Sequence, residues 1–281
     1  MLGLESLEIG LMFWAGADAR ATLREVKSYN VRSGQLGFPG DLPLDGAAAK
    51  WDAALTAEEF VPVTAFCSYV GEDYADIPTV TRTVGLVPLS TRKERIARTK
   101  AVSNVAKELG IESLGCHIGV IPADHGAAPY AEIREMTREL CDFCKDNGQS
   151  FTLETGQEPA KVLLRFMEDV DRPNLKINFD PANMILYGTG DPIEALTVLS
   201  KHVISVHCKD GDWPAREKPE ALGVEVPLGQ GKVNLPAFIS KLKELGYTGP
   251  LALECELADT SKRPSAIRDG LAMLKRLTGR T

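Results

Sequence analysis

The chain of 281 residues reads as a (β/α)₈ barrel of the α/β class, one TIM-barrel domain over 1–281, and three observations lead there. Apolar, β-branched segments alternate with helix-period segments along most of its length. Eight such units of about 35 residues fill the chain, and this alternation implies a parallel sheet linked by right-handed crossovers. Glycine stands just past the helix ends in ELGIESL, DNGQSF and ELGYTG, where a left-handed residue closes a helix.

The elements follow in order. LESLEIGL reads as the first strand, Ala17 to Ser28 as a helix, and Tyr29 to Leu36 as the second strand. FVPVTAFC is the third strand, and the helix from Thr91 to Leu109 carries Ile96, Val102, Val105, Ala106 and Leu109 at helical spacing. IESLGCHI precedes a helix from Tyr130 to Asn147, and SFTLET precedes one from Glu158 to Val170, opened by Pro159. NLKINFD is the sixth strand; Asp191 and Pro192 cap and open the helix to Lys201. HVISVHC, a helix from the cap Asn234 to Leu245, PLALECE and a last helix to Leu277 complete the set. Three βα connections are long, near 37–50, 68–90 and 209–232, and structureless loops of that length commonly carry function.

Composition narrows the function classes. A hydrophobic share of 44% supports a large core. The net charge of −7 and pI near 5.3 disfavour a nucleic-acid backbone as partner and leave a small molecule. Six scattered cysteines do not make a disulfide scaffold and suggest a reducing, cytoplasmic setting. The opening MLGLESLEIGLMFWAG lacks a basic start and is broken by Glu5 and Glu8, so it reads as a strand rather than a signal peptide. No apolar run approaches the roughly 18 residues of a membrane span, and a homo-oligomer is compatible with the sequence.

Catalytic groups of such barrels sit at the C-terminal ends of the strands. Those positions hold Glu154 in SFTLE, Asp180 in KINFD, His207 in ISVH and Glu254 in LALE. One acidic strand end alone is more often a helix cap. Four successive strands ending in Glu, Asp, His and Glu are a set. Three carboxylates on one rim repel unless a cation neutralises them, and one imidazole with three carboxylates suits Mn²⁺, Mg²⁺, Co²⁺ or Zn²⁺.

These four residues, with INFDPANMI, HCKDGD and PLGQGKVNLPAFISKLKELGYTGPLALECE, resemble the sugar phosphate isomerase/epimerase family of xylose-isomerase-like barrels. That family includes ketose 3-epimerases, hydroxypyruvate isomerase and inosose dehydratase. The resemblance implies that Glu154, Asp180, His207 and Glu254 bind one divalent metal and that Glu154 and Glu254 also act as acid and base. Asn183 stands where ketose 3-epimerases often carry His, and the H-x-K-D form at Lys209 and Asp210 is closer to dehydratase-like members. Both are departures from the epimerase pattern.

Substrate contacts are expected from His117, Asn183, Lys209 and Arg216, against a structural histidine at His117 and a solvated lysine, or one paired with Asp210 or Asp212, at Lys209. Trp14, Phe38, Trp51, Phe66, Tyr69 and Trp213 are candidates for the pocket wall. Cys141 and Cys144 form a C-x-x-C inside a helix and read as core; Cys116, Cys208 and Cys255 should turn away from the rim by strand alternation. The expected function is a metal-dependent sugar isomerase or epimerase that abstracts a proton beside a carbonyl through a metal-stabilised enediolate. Its rivals are a lyase or dehydratase of a keto-sugar or inosose on the same site, an abasic-site endonuclease, and a non-catalytic binding protein.

Overall fold

The computed structural model describes residues 6–218 and 220–280. Its strands are β1 (Ile9–Trp14), β2 (Ser33–Phe38), β3 (Val61–Cys67), β4 (Ser113–Cys116), β5 (Ser150–Glu154), β6 (Leu175–Phe179), β7 (Val203–Cys208), β8 (Asp210–Asp212), β9 (Val224–Val226) and β10 (Leu251–Leu253). The strands β1 to β7 and β10 form a closed parallel barrel in the order β1-β10-β7-β6-β5-β4-β3-β2, while β8 and β9 make an antiparallel hairpin outside it. The helices are α1 (Ala19–Lys27), α2 (Ala47–Glu58), α3 (Ile77–Thr83), α4 (Leu89–Glu108), α5 (Ala128–Asp146), α6 (Ala160–Val170), α7 (Pro181–Leu186), α8 (Pro192–Leu199), α9 (Leu235–Glu244) and α10 (Arg263–Thr278). None of the described helices is long and apolar enough to cross a membrane.

Strand alternation sorts the side chains into two environments. Leu11 and Phe13 of β1, Leu114 and Cys116 of β4, Phe151 and Leu153 of β5, and Val206 and Cys208 of β7 belong to the main core with the helices. Met12, Phe66 and Ala252 form a separate small cluster. Cys116 and Cys208 thus turn away from the rim, as alternation requires. The other register carries buried polar groups: Gln35, Thr152, Asn178, Ser205 and His207 are all essentially inaccessible. Gln35 on β2 and Asn178 on β6 stand half a turn of the ring apart, and the Gln35 amide donates to Asn178 Oδ1 at 2.9 Å. Ser205 Oγ donates to the same oxygen at 2.6 Å.

Several boundaries differ from the expectations above. Among the described residues the first strand starts at Ile9, since the apolar run lies C-terminal to Glu8, whose carboxylate pairs with Arg32 and Arg280; residues 4 and 5 of LESLEIGL lie outside the described residues. The second strand begins at Ser33, because Asn30 takes a left-handed φ of 59° and a turn precedes it. The connection near 37–50 gives way to α2 at Ala47, and those near 68–90 and 209–232 contain α3 and the hairpin. Asn234 precedes α9 with a left-handed φ of 58° and makes no side-chain cap bond. Gly110, Gly148 and Gly246 do close helices at positive φ.

The hairpin is built on one carboxylate. Asp210 accepts N–H bonds from Gly211 (2.9 Å), Gly229 (3.0 Å), Gly231 (3.0 Å) and Val233 (3.1 Å) and is buried. The aspartate of HCKDGD and the glycines of PLGQGKV therefore belong to one structure: the glycine turn wraps an anion supplied by the chain itself. A backbone bond from Gly223 N–H to the Leu186 carbonyl fastens the hairpin to α7, and one from Ile77 N–H to the Glu220 carbonyl joins it to the loop of α3. Loss of an acceptor leaves each buried donor unsatisfied at about 1–3 kcal/mol. We expect Asp210→Ala to keep the circular dichroism of the barrel while accelerating protease cleavage within 213–228 at least tenfold; equal cleavage rates would refute this role.

Candidate metal centre

Glu154 ends β5, Asp180 follows β6, His207 lies near the end of β7, and Glu254 follows β10. Each offers one ligand atom, and all four atoms lie within 4.8 Å of one another. His207 Nδ1 is the hub, at 3.1 Å from Glu154 Oε1, 3.3 Å from Glu254 Oε2 and 3.9 Å from Asp180 Oδ2. Its other nitrogen, Nε2, lies 2.5 Å from Gln35 Oε1. The Gln35 amide nitrogen is already committed as donor to Asn178, so its oxygen accepts from His207 Nε2–H. In the neutral ring this leaves the Nδ1 lone pair facing three carboxylates.

The electrostatics describe a site short of positive charge. Burial pushes the Asp180 carboxyl well above its usual range, Lys209 opposes this, and Glu254 and Glu154 add to it. Burial also opposes ionisation of Glu154 and Glu254, but His117 and His207 hold the first down, and His207 and Lys209 hold the second well down. Burial disfavours the His207 cation, yet Glu254 and Glu154 raise its affinity for a proton well above the ordinary value. Asp180 shows most directly what fits here. Its Oδ1 caps α7 by accepting from Ala182 (2.8 Å) and Asn183 (3.1 Å), while the buried Oδ2 has no hydrogen-bond partner. Such an oxygen calls for a partner. One imidazole nitrogen and three carboxylates, one with an open lone pair, fit a divalent cation. The cap and ligand readings of Asp180 are thus served by different oxygens.

A cavity of about 650 Å³ opens above the tetrad and is lined by Glu154 and Glu254. His117, Asn183 and Lys209 also line it. His117 Nε2 lies 3.2 Å from Glu154 Oε2, its Nδ1 lies 2.8 Å from the Gln157 amide, and Asn183 Nδ2 donates to Glu154 Oε1 at 3.0 Å. Lys209 is buried rather than solvated, and its partners are Glu254 (3.0 Å), Glu256 (3.2 Å) and Glu225 (3.9 Å) instead of Asp210 or Asp212. Arg216 is exposed in the loop before β9 and does not line the cavity. Trp14, Phe66 and Tyr69 do; Phe38 and Trp51 are in the core, and Trp213 is exposed. Phe66 packs 5.3 Å from the His207 ring, in space that Gly115 leaves open: a Cβ there would lie 2.7 Å from the Phe66 ring. Cys141 and Cys144 are buried in α5, and burial pushes the Cys144 thiol up to about 12.

Sequence reading missed Gln35 and Asn178, which orient His207, and Tyr74, Tyr187, Glu225 and Glu256, which line the cavity. Gln35 and Asn178 carried a signal, as polar residues inside strands at inward positions. Glu225 and Glu256 carried none, because their place depends on how the long loop after β7 folds back.

Residues 23–277 match the family described as xylose isomerase-like TIM barrel. The crystal structure of a xylose isomerase domain protein from Planctomyces limnophilus superposes with a TM-score of 0.91 at 39% identity, over 97% of this chain and 97% of that one. A xylose isomerase-like TIM-barrel protein from Mycobacterium smegmatis, in complex with magnesium, gives 0.69 at 17% identity over 92% and 87%. D-psicose 3-epimerase from Clostridium cellulolyticum H10, with D-tagatose, gives 0.68 at 14% identity over 97% and 98%. An uncharacterised protein of Methanocaldococcus jannaschii is 26% identical over 182 residues, and the match spans 60% of this chain and 59% of that relative. The match to a second uncharacterised protein, from Escherichia coli K12, is 31% identical over 108 residues, 38% of this chain and 32% of that relative. With the family matched over nearly its whole length and the closed barrel in place, this chain belongs to the xylose isomerase-like TIM-barrel family.

Proposed function

We propose that this protein isomerises or epimerises a sugar or sugar-like polyol ketone with the help of one divalent cation, Glu154 and Glu254 acting as the acid/base pair. The observation that carries the reading is the unpartnered Asp180 Oδ2 within a tetrad whose two glutamates both face the cavity. The likeness to a D-psicose 3-epimerase and to a barrel in complex with magnesium supports it.

A bound divalent cation would be held by Glu154, Asp180, His207 and Glu254 and would stabilise negative charge developing on neighbouring substrate oxygens. The chain's own groups handle the proton. Glu154 and Glu254 approach His207 Nδ1 through different carboxylates, and each has a second basic neighbour, His117 on Glu154 and Lys209 on Glu254. One carboxylate takes the proton from the carbon beside the carbonyl. Return by the other to the opposite face inverts that carbon; delivery to the adjacent carbon exchanges ketose for aldose. Asn183, fixed on Glu154, keeps that carboxylate oriented while its reactive oxygen turns to substrate. A lyase or dehydratase is the second reading, favoured by Lys209 and Glu225: burial pushes the Glu225 carboxyl up to about 7, giving the cavity a proton donor that epimerisation does not use.

Purified protein should carry close to one divalent ion per chain by elemental analysis, and Glu154→Gln and Asp180→Asn should each lose it. Resupplying Mn²⁺ at a hundredfold excess over its dissociation constant to chelated protein should add about 2.7 kcal/mol, a rise of several degrees in Tm. Wild-type protein that binds no stoichiometric metal would sink the proposal. In deuterated water, recovered ketose should gain deuterium beside the carbonyl, and Glu154→Gln and Glu254→Gln should each lower kcat by about 10²–10⁴. A dehydrated or cleaved product would transfer the assignment to the second reading.

A further inference from the structure

The cavity has a charge pattern that the proton transfer does not require. A divalent cation would balance two of the three tetrad carboxylates. Lys209, the lysine or arginine that lines the cavity among the described residues, sits against Glu254, Glu256 and Glu225 and is spent on them. Glu256 remains 46% exposed at the wall, and Glu225 is held there by accepting the Glu256 N–H at 2.7 Å. Among the described residues no unneutralised lysine or arginine is available for a phosphate or carboxylate on the substrate, and such a group would meet the field of Glu256 and the tetrad at short range. Carboxylates do accept strongly from sugar hydroxyls.

Size points the same way as charge. A single hexose needs roughly 250 Å³ at protein-like packing density and a two-ring sugar roughly 450 Å³. The cavity of about 650 Å³ leaves a single ring poorly held. Its outer part is apolar: Trp14 is 38% exposed, Tyr74 42% and Val224 65%, and all three line it. Val224 stands at the end of the hairpin, paired with Asp212. Amphipathic rings such as those of Trp14 and Tyr74 present flat apolar surface beside polar edges and suit the C–H faces of a pyranose.

We infer that the substrate of this site is an uncharged two-ring sugar, its ketone-bearing ring over the tetrad and its second ring against Trp14, Tyr74 and the hairpin residue Val224. The inference rests on the proposed sugar chemistry but is tested separately from it by binding. Metal-loaded protein is titrated calorimetrically with D-tagatose, with D-fructose and D-fructose 6-phosphate, and with a panel of neutral disaccharide ketoses joined 1→3, 1→4 and 1→6. At least one disaccharide should bind tenfold or more tightly than D-tagatose, and the phosphate ester should bind at least tenfold more weakly than D-fructose. Trp14→Ala should lower the disaccharide-to-monosaccharide affinity ratio about tenfold, and Glu256→Gln should narrow the discrimination against the phosphate. Preference for the phosphate ester, or no disaccharide bound better than D-tagatose, would overturn the inference even if ketoses are turned over. Binding in the expected order without proton exchange would instead overturn the reaction and leave the substrate class standing.

Discussion

The site depends on which nitrogen of His207 is free. That is decided across the barrel, where Ser205 and Gln35 both donate to Asn178 and the Gln35 oxygen then receives the Nε2 proton of His207. Were Gln35 turned over, its amide would point a donor at Nε2, the ring would carry its proton on Nδ1, and the lone pair would be lost from the cluster of carboxylates. The lumen is therefore polar for a reason: it holds an amide chain that transmits one orientation from β6 through β2 to β7. Phe66, admitted by Gly115, fixes the ring from its face.

Around this nitrogen the structure distributes charge unevenly. Asp180 divides its carboxyl group between the first turn of α7 and the tetrad, one oxygen to each. Glu154 and Glu254 are stabilised as anions by different neighbours, a histidine on one side and a lysine on the other. This asymmetry is what a pair of carboxylates needs if one is to take a proton and the other to give it.

Much of the barrel was legible in the sequence because strand alternation and helix punctuation act locally. The same alternation put Glu154, Asp180, His207 and Glu254 at one rim and turned Cys116 and Cys208 away from it. What escaped was decided by chain that returns from elsewhere. The sequence left Lys209 open between a substrate contact, a solvated lysine and a pair with Asp210 or Asp212, because its acidic partners are Glu254 and Glu256 beyond β10 and Glu225 on the hairpin, none of them near it in sequence. Helix α7 was hidden by its length of only 6 residues, although DPAN carries both its cap and its proline. Arg216, chosen for its charge alone, sits out in solvent. Gln35 was missed for a different reason: its meaning comes from Asn178 on the far side of the ring.

The carboxylate of Asp210 gathers the departing and returning arms of the β7 excursion at one buried point, directly beside the residue that touches Glu254. Further tethers run from the excursion to Leu186 of α7 and to Ile77 of α3, so the wall over the tetrad is a strap buckled at one buried anchor and stitched along its length to the rim.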